Sequence, residues 1–120
     1  MKISTIAETL NARVLTGEEL LGTHVYSACG SDMMSDVLAF VKDQAVLLTG
    51  LNNPQVVRTA EMMDMRCIVF VRGKVPDDNI LNLAKERNIV IMSTDLPLYI
   101  ACGVLYSSGL TGTVRKRETT

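Results

Sequence analysis

An α/β fold is what the sequence predicts: three layers, α/β/α, around a mostly parallel sheet of four or five strands. Two observations carry this. Ala45-Val46-Leu47-Leu48-Thr49, Cys67-Ile68-Val69-Phe70-Val71 and Ile89-Val90-Ile91-Met92 are short runs with almost no polar alternation, and such strands need cover on both faces. Between them lie stretches with helical periodicity, the alternation that produces βαβ units and parallel sheets.

The N-terminal part is less regular. Thr5 followed by Glu8 has the spacing of a capping box, with Ile6, Ala7 and Leu10 as a small apolar face, so a short helix is expected over 5–11. Arg13 to Thr16 reads as a short strand closed by Gly17, and Glu18 to Leu21 as one helical turn. Thr23 to Cys29 mixes β-branched, aromatic and polar residues, which suits a less buried or edge strand. Gly30-Ser31-Asp32 breaks it. A helix from Met33 or Ser35 to Asp43 follows, with Val37, Leu38 and Val41 inward and Asp36 and Lys42 outward.

Ala45 to Pro54 organises the chain. Four apolar residues run into Thr49-Gly50, a turn, and then Asn53-Pro54, a capping side chain before a first-turn proline. The helix from Asn53 to about Asp64 carries Val56, Val57, Ala60 and Met63 on one stripe. After Arg72-Gly73, Pro76-Asp77-Asp78 opens a helix with Ile80, Leu81 and Ala84 inward. Ser93-Thr94-Asp95 is read as the cap of a last helix, from Leu96 or Pro97 to about Ser108, packing through Tyr99, Ile100, Gly103 and Val104. Gly103 costs a helix about 1 kcal/mol relative to alanine, which suggests close approach to another element. One domain over 1–110 and a mobile basic tail over 111–120, with Arg115-Lys116-Arg117, complete the reading.

Composition narrows the function. A 120-residue chain with 48% hydrophobic and 21% charged residues is long enough to bury a core unaided. A net charge of −1 supplies no basic field for nucleic acid. Three widely spaced cysteines and one histidine form neither a zinc set nor a disulfide framework. No apolar run approaches membrane-spanning length and the N-terminus lacks a signal-peptide core, so a reduced, cytoplasmic setting is expected. No motif calls for a cofactor or a metal.

Parallel-sheet proteins bind ligands at the strand C-terminal ends. The strand exits nominate Gly30, Ser31 and Asp32; Thr49, Gly50, Asn52 and Asn53; Arg72 and Gly73; and Ser93 and Asp95. Helix N-termini there favour a phosphate or carboxylate, and Arg72 offers a bidentate contact. The same residue types also cap helices, so site and caps stay open as alternatives. Asp32, Asp36 and Asp95 also raise the question of a metal. Cys29 precedes a helix, where a thiol can become reactive, but no histidine or second cysteine is near it in sequence. Met62 and Met63 are read as core. Met33 and Met34, adjacent at a helix start, cannot both enter one core and are assigned to a homodimer interface.

Ala12-Arg13-Val14-Leu15-Thr16-Gly17, Glu18-Glu19-Leu20-Leu21, Ser31 to Leu38 and Leu83 to Asp95 resemble the DRTGG domain, a small α/β module found beside CBS domains and similar to the N-terminal domain of HPr kinase. The residues that name the family are largely replaced: Leu51-Asn52-Asn53-Pro54 stands at its Asp-Arg, and Val71-Arg72-Gly73 at its Thr-Gly-Gly. The kinase half is absent, and no GxxxxGK[ST] phosphate loop occurs. The resemblance implies a stand-alone, non-catalytic regulatory or assembly module. It would be dimeric, sensing a small anionic ligand such as a nucleotide or phosphate, or docking on a partner enzyme. The alternative is a small enzyme acting on a phosphorylated or carboxylated metabolite through Asp32, Arg72 and Asp95.

Overall fold

The computed structural model describes residues 1–40 and 44–111, with Phe40 described by its backbone alone. The elements run α1 (Ile3–Thr9), β1 (Arg13–Thr16), a 3-10 turn (Glu18–Leu20), β2 (Ser27–Gly30), α2 (Met34–Phe40), β3 (Ala45–Thr49), α3 (Gln55–Met62), β4 (Cys67–Phe70), α4 (Asp78–Glu86), β5 (Val90–Ser93) and α5 (Leu98–Ser107). They form a five-stranded sheet in the order β1-β5-β4-β3-β2, parallel except for the antiparallel edge strand β1. The three apolar runs are interior strands and every residue of β3, β4 and β5 is buried.

Because β2 to β5 follow one another both in sequence and in space, successive right-handed crossovers place their helices on one face. That face holds Val37 of α2, Val56, Val57 and Ala60 of α3, and Ile80 and Ala84 of α4 against Leu47, Ile68, Phe70 and Ile91. On the other face α1 and α5, through Ile3, Ile6, Ala101 and Leu105, cover Val46, Leu48, Val69 and Met92. The period-two alternation along each strand thus feeds two apolar cores.

Several local expectations are corrected. Helix α1 starts at Ile3, not at a Thr5 capping box, and its N-cap Lys2 makes no side-chain bond. Its first amides are satisfied by the following loop instead, Ile3 donating to the Thr23 carbonyl and Ser4 to that of Leu21, both at 2.9 Å. With α2 beginning at Met34, the inward positions are Met34 and Val37, and Leu38 falls on the exposed flank. Val41, Lys42 and Asp43 lie outside the described residues, as does the tail from 112. Met62 is exposed, not core, while Met63 packs against the α3 side of the sheet. Helix α5 is turned away from most of its predicted packing face: Ala101 and Leu105 are buried and Val104 packs against the core, whereas Tyr99, Ile100 and Gly103 face outward. Leu110 also tucks into the core.

Candidate functional site

The C-terminal ends of β2 to β5 open on one edge, and the loops leaving β4 and β5 diverge there, one to α4 and the other to α5 on the opposite face. Such a divergence is where an open α/β sheet forms its binding crevice. Here the crevice is bridged by hydrogen bonds. The Arg72 amide donates to the Leu96 carbonyl at 2.9 Å and the Gly73 amide to the Thr94 carbonyl at 2.8 Å. The Ser93 hydroxyl donates to the Lys74 carbonyl at 2.7 Å. Any ligand at this edge therefore rests on the loops and does not enter between them.

Arg72 and Gly73 both take left-handed backbone angles, φ 58° and 68°. For arginine this is a strained conformation of order 1–3 kcal/mol, held in place by the amide bonds just named. It directs the side chain across β4 toward β3. The Arg72 guanidinium lies over Gly50, so close that a Cβ on Gly50 would sit 2.6 Å from Nη2. Gly50 has no positive φ; the expected demand of the turn is not what requires glycine there, and the overlying guanidinium is. Beside it, Asp32 accepts hydrogen bonds through one carboxylate oxygen from the Gly50 amide at 2.7 Å and the Thr49 hydroxyl at 3.1 Å. Across the sealed crevice, Asp95 places Oδ1 3.1 Å from where a Cβ on Gly73 would stand.

Asp32, Thr49, Gly50, Arg72, Gly73 and Asp95 are thus drawn together along the edge. The other nominated residues have local duties. Ser31 accepts from the Met33 amide at 3.0 Å and Asn53 from the Gln55 amide at 2.8 Å. Asn53 therefore acts two residues before the helix start, which falls at Gln55. Ser93 is buried and locks the crevice. Gly30 lies under α5, where a Cβ would meet Cys102 Sγ at 2.4 Å, and Asn52 is exposed in the β3–α3 loop. The Ser93-Thr94-Asp95 cap is corrected: α5 has no side-chain cap. Thr94 instead donates its buried hydroxyl to the Leu10 carbonyl at 2.8 Å, pinning the end of α1. Nothing in the local sequence marks that contact, because its partner is 84 residues away.

Charge at the edge is uneven in availability. The ion pairs among the described residues are Arg66 with Asp64 and Arg87 with Glu61, so Arg72 is exposed and shares no carboxylate within this set. Asp32 is exposed and accepts both of its hydrogen bonds through the same carboxylate oxygen. No group of three His, Cys, Asp or Glu side chains is placed to hold a metal among the described residues. Burial pushes the Cys29 thiol upward, with Cys102 and Asp36 adding to the shift; Cys102 is raised by burial as well. A raised thiol is a poor nucleophile at neutral pH, which weighs against a redox role for Cys29. His24 stacks on Tyr26 with ring centroids 6.4 Å apart.

Of the two methionines assigned to an interface, Met33 is exposed and Met34 is buried in the core under α2. An interface using both would require opening that core, so Met34 is withdrawn from it.

With this geometry in view, comparison with known proteins is decisive at the level of family. The DRTGG domain family model matches residues 5–102. The chain belongs to the DRTGG domain family. This DRTGG domain is similar in fold to a solved structure of the CBS and DRTGG domains of the regulatory region of Clostridium perfringens pyrophosphatase, complexed with the activator diadenosine tetraphosphate. The TM-score is 0.71 at 19% sequence identity, covering 89% of this chain and 46% of that one. The chain therefore spans less than half of that region. No curated protein matches. No helix among the described residues is long and apolar enough to cross a membrane.

Proposed function

We propose that this DRTGG domain is a non-catalytic regulatory module that receives a small anionic ligand, a nucleotide or phosphate, on its strand-exit edge and passes the signal to a partner enzyme. The observation that carries the reading is Arg72: an exposed guanidinium fixed over Gly50 by a left-handed backbone, with no carboxylate partner among the described residues. A preplaced guanidinium binds phosphate through parallel N–H donors. The backbone strain that aims it is the kind of local cost that collects at binding sites. The regulatory region of the C. perfringens pyrophosphatase, which contains this fold, takes a dinucleotide activator, and that lends support to a nucleotide as the ligand class.

A thermal-shift panel of nucleotides, inorganic phosphates and carboxylates tests the reading. A ligand at about a hundred times its dissociation constant adds about 2.7 kcal/mol, a rise of roughly 10 °C for a domain of this size. Arg72→Ala should abolish the rise while leaving the melting temperature of the free protein nearly unchanged. Full retention of affinity in that variant would move the site elsewhere. Turnover of any phosphorylated compound, lost on substituting a residue of this chain, would overturn the non-catalytic reading.

A further inference from the structure

Asp32 stands beside the Arg72 seat with a charge that its structural contacts do not need. Its Oδ1 accepts from the Gly50 amide at 2.7 Å and from the Thr49 hydroxyl at 3.1 Å, which fixes the carboxylate against the β3–α3 loop. The neutral oxygen of an asparagine side chain would hold that loop through the same two bonds. A negative charge next to the seat of an anion weakens binding of that anion by like-charge repulsion. The edge as built therefore disfavours a bare phosphate relative to a ligand that also brings hydrogen-bond donors. A carboxylate accepts about four hydrogen bonds, about two on each oxygen. Both of the bonds that Asp32 makes among the described residues fall on Oδ1, and the residue is exposed. Oδ2 thus has room for about two donors.

We infer that Arg72 and Asp32 together recognise a ribose phosphate: the guanidinium takes the phosphate, and Asp32 Oδ2 accepts hydrogen bonds from the vicinal hydroxyls of the sugar. The inference rests on the anion reading of Arg72 given above, and narrows its ligand from small anions in general to ribonucleotides and related sugar phosphates. The two groups flank one residue. Asp32 Oδ1 is 2.7 Å from the Gly50 amide nitrogen, and Arg72 Nη2 is 2.6 Å from where a Cβ on Gly50 would stand. Adding the span of Gly50 itself puts Nη2 and Oδ1 at most about 8 Å apart, yet no ion pair joins the two side chains. They are near enough for one ribose phosphate to touch both, and too far apart to neutralise each other. The polarity of the pair matches such a ligand, with a donor fork for the charged end and an acceptor for the hydroxyl end. Dinucleotide-binding folds use an acidic side chain in this way, at a strand exit near a glycine turn that holds the phosphates. Here the acid follows β2 and the glycine follows its sheet neighbour β3.

Calorimetric titration of the full chain with AMP, 2′,3′-dideoxy-AMP, ribose 5-phosphate and inorganic phosphate decides it. AMP should bind about tenfold more tightly than its dideoxy analogue, the worth of hydrogen bonds to a charged acceptor. Ribose 5-phosphate should also bind more tightly than the dideoxy nucleotide if a free sugar phosphate suffices, and less tightly than AMP if the base contributes. In Asp32→Asn the side-chain oxygen can keep the bonds from Gly50 and Thr49, while an N–H donor replaces the acceptor offered to the sugar. That variant should melt with the unaltered chain and lose the preference for AMP over the dideoxy analogue. It should bind inorganic phosphate about twofold more tightly, because the repulsion is gone. Equal affinity of the unaltered chain for AMP and dideoxy-AMP would overturn the inference and leave the Arg72 reading standing; this comparison needs no variant to fold. An Asp32→Asn chain that keeps the full preference would also overturn it, by assigning the hydroxyls to another group. No binding of any of the four compounds would overturn both readings.

Discussion

Gly50 shows how a residue can be constrained by a neighbour it could not be seen to have. The turn itself would accept alanine, but a methyl group there would displace the Arg72 guanidinium. Because the obstruction is the end of a flexible side chain, Gly50→Ala should fold normally, yet lose most of whatever anion affinity Arg72→Ala loses; calorimetric titration of both variants checks this. Gly17 is a different case. It combines φ 89° with a contact to the Val90 backbone, whose Cα would lie 2.9 Å from a new Cβ. Gly17→Ala should therefore destabilise by roughly 1–3 kcal/mol, read as a lower denaturant midpoint at unchanged slope. Both glycines are visible as turn residues in the sequence, but which is backbone-driven and which is contact-driven is not, since each contact partner lies far along the chain.

At the level of elements, helix α4 and helix α5 mark the two extremes of legibility. In α4, polar and apolar positions alternate with helical period, and Asp77 caps it by accepting from the Ile80 amide at 3.1 Å; its start, inner face and cap are all readable. Asp77→Ala should cost about 1 kcal/mol, measurable by urea unfolding. In α5 every face carries apolar residues, so periodicity has no contrast with which to choose the inner one, which is the side of Ala101 and Leu105. The same lack of contrast hid Leu38 and Met62, where one apolar residue too many follows a correctly read stripe. The strand runs were legible because burial on both faces leaves no polar position to misread. The tie that Thr94 makes between β5 and α1 has no local signal, because its partner Leu10 is 84 residues away. Thr94→Val would leave the Leu10 carbonyl without its donor and should cost about 1–3 kcal/mol, with α1 amides losing hydrogen-exchange protection first.

For the molecule as a whole, the strand order explains why the candidate edge is a platform. The three crossover helices α2, α3 and α4 go to one face and α5 joins α1 on the other, so the parallel strands have a single divergence point, and its loops are tied together by hydrogen bonds. The edge is legible from the sequence as the row of strand exits; that Arg72 reaches back to Gly50, and that Asp32 accepts from Thr49 and Gly50, depends on the packed sheet. The core has one pH signature. Burial drives the Cys67 thiol far above its ordinary value of 9.0, and Cys29 and Cys102 are raised in the same direction. In the unfolded chain these thiols ionise near the ordinary value, so the stability they contribute is complete below about pH 9 and is lost as pH rises beyond it. Urea midpoints should fall above that pH, and Cys67→Ala, although less stable at neutral pH, should show a shallower fall.

The claim that an anion rests on the strand-exit platform under Arg72 is tested most directly by a nitrogen-15 amide NMR titration with diadenosine tetraphosphate and, separately, with inorganic phosphate. Saturable shifts confined to the amides around Asp32, Gly50, Arg72, Gly73 and Asp95, and abolished by Arg72→Ala, are the expected result. Shifts gathered at the opposite edge of the sheet, or no saturable shift at millimolar ligand, would contradict it.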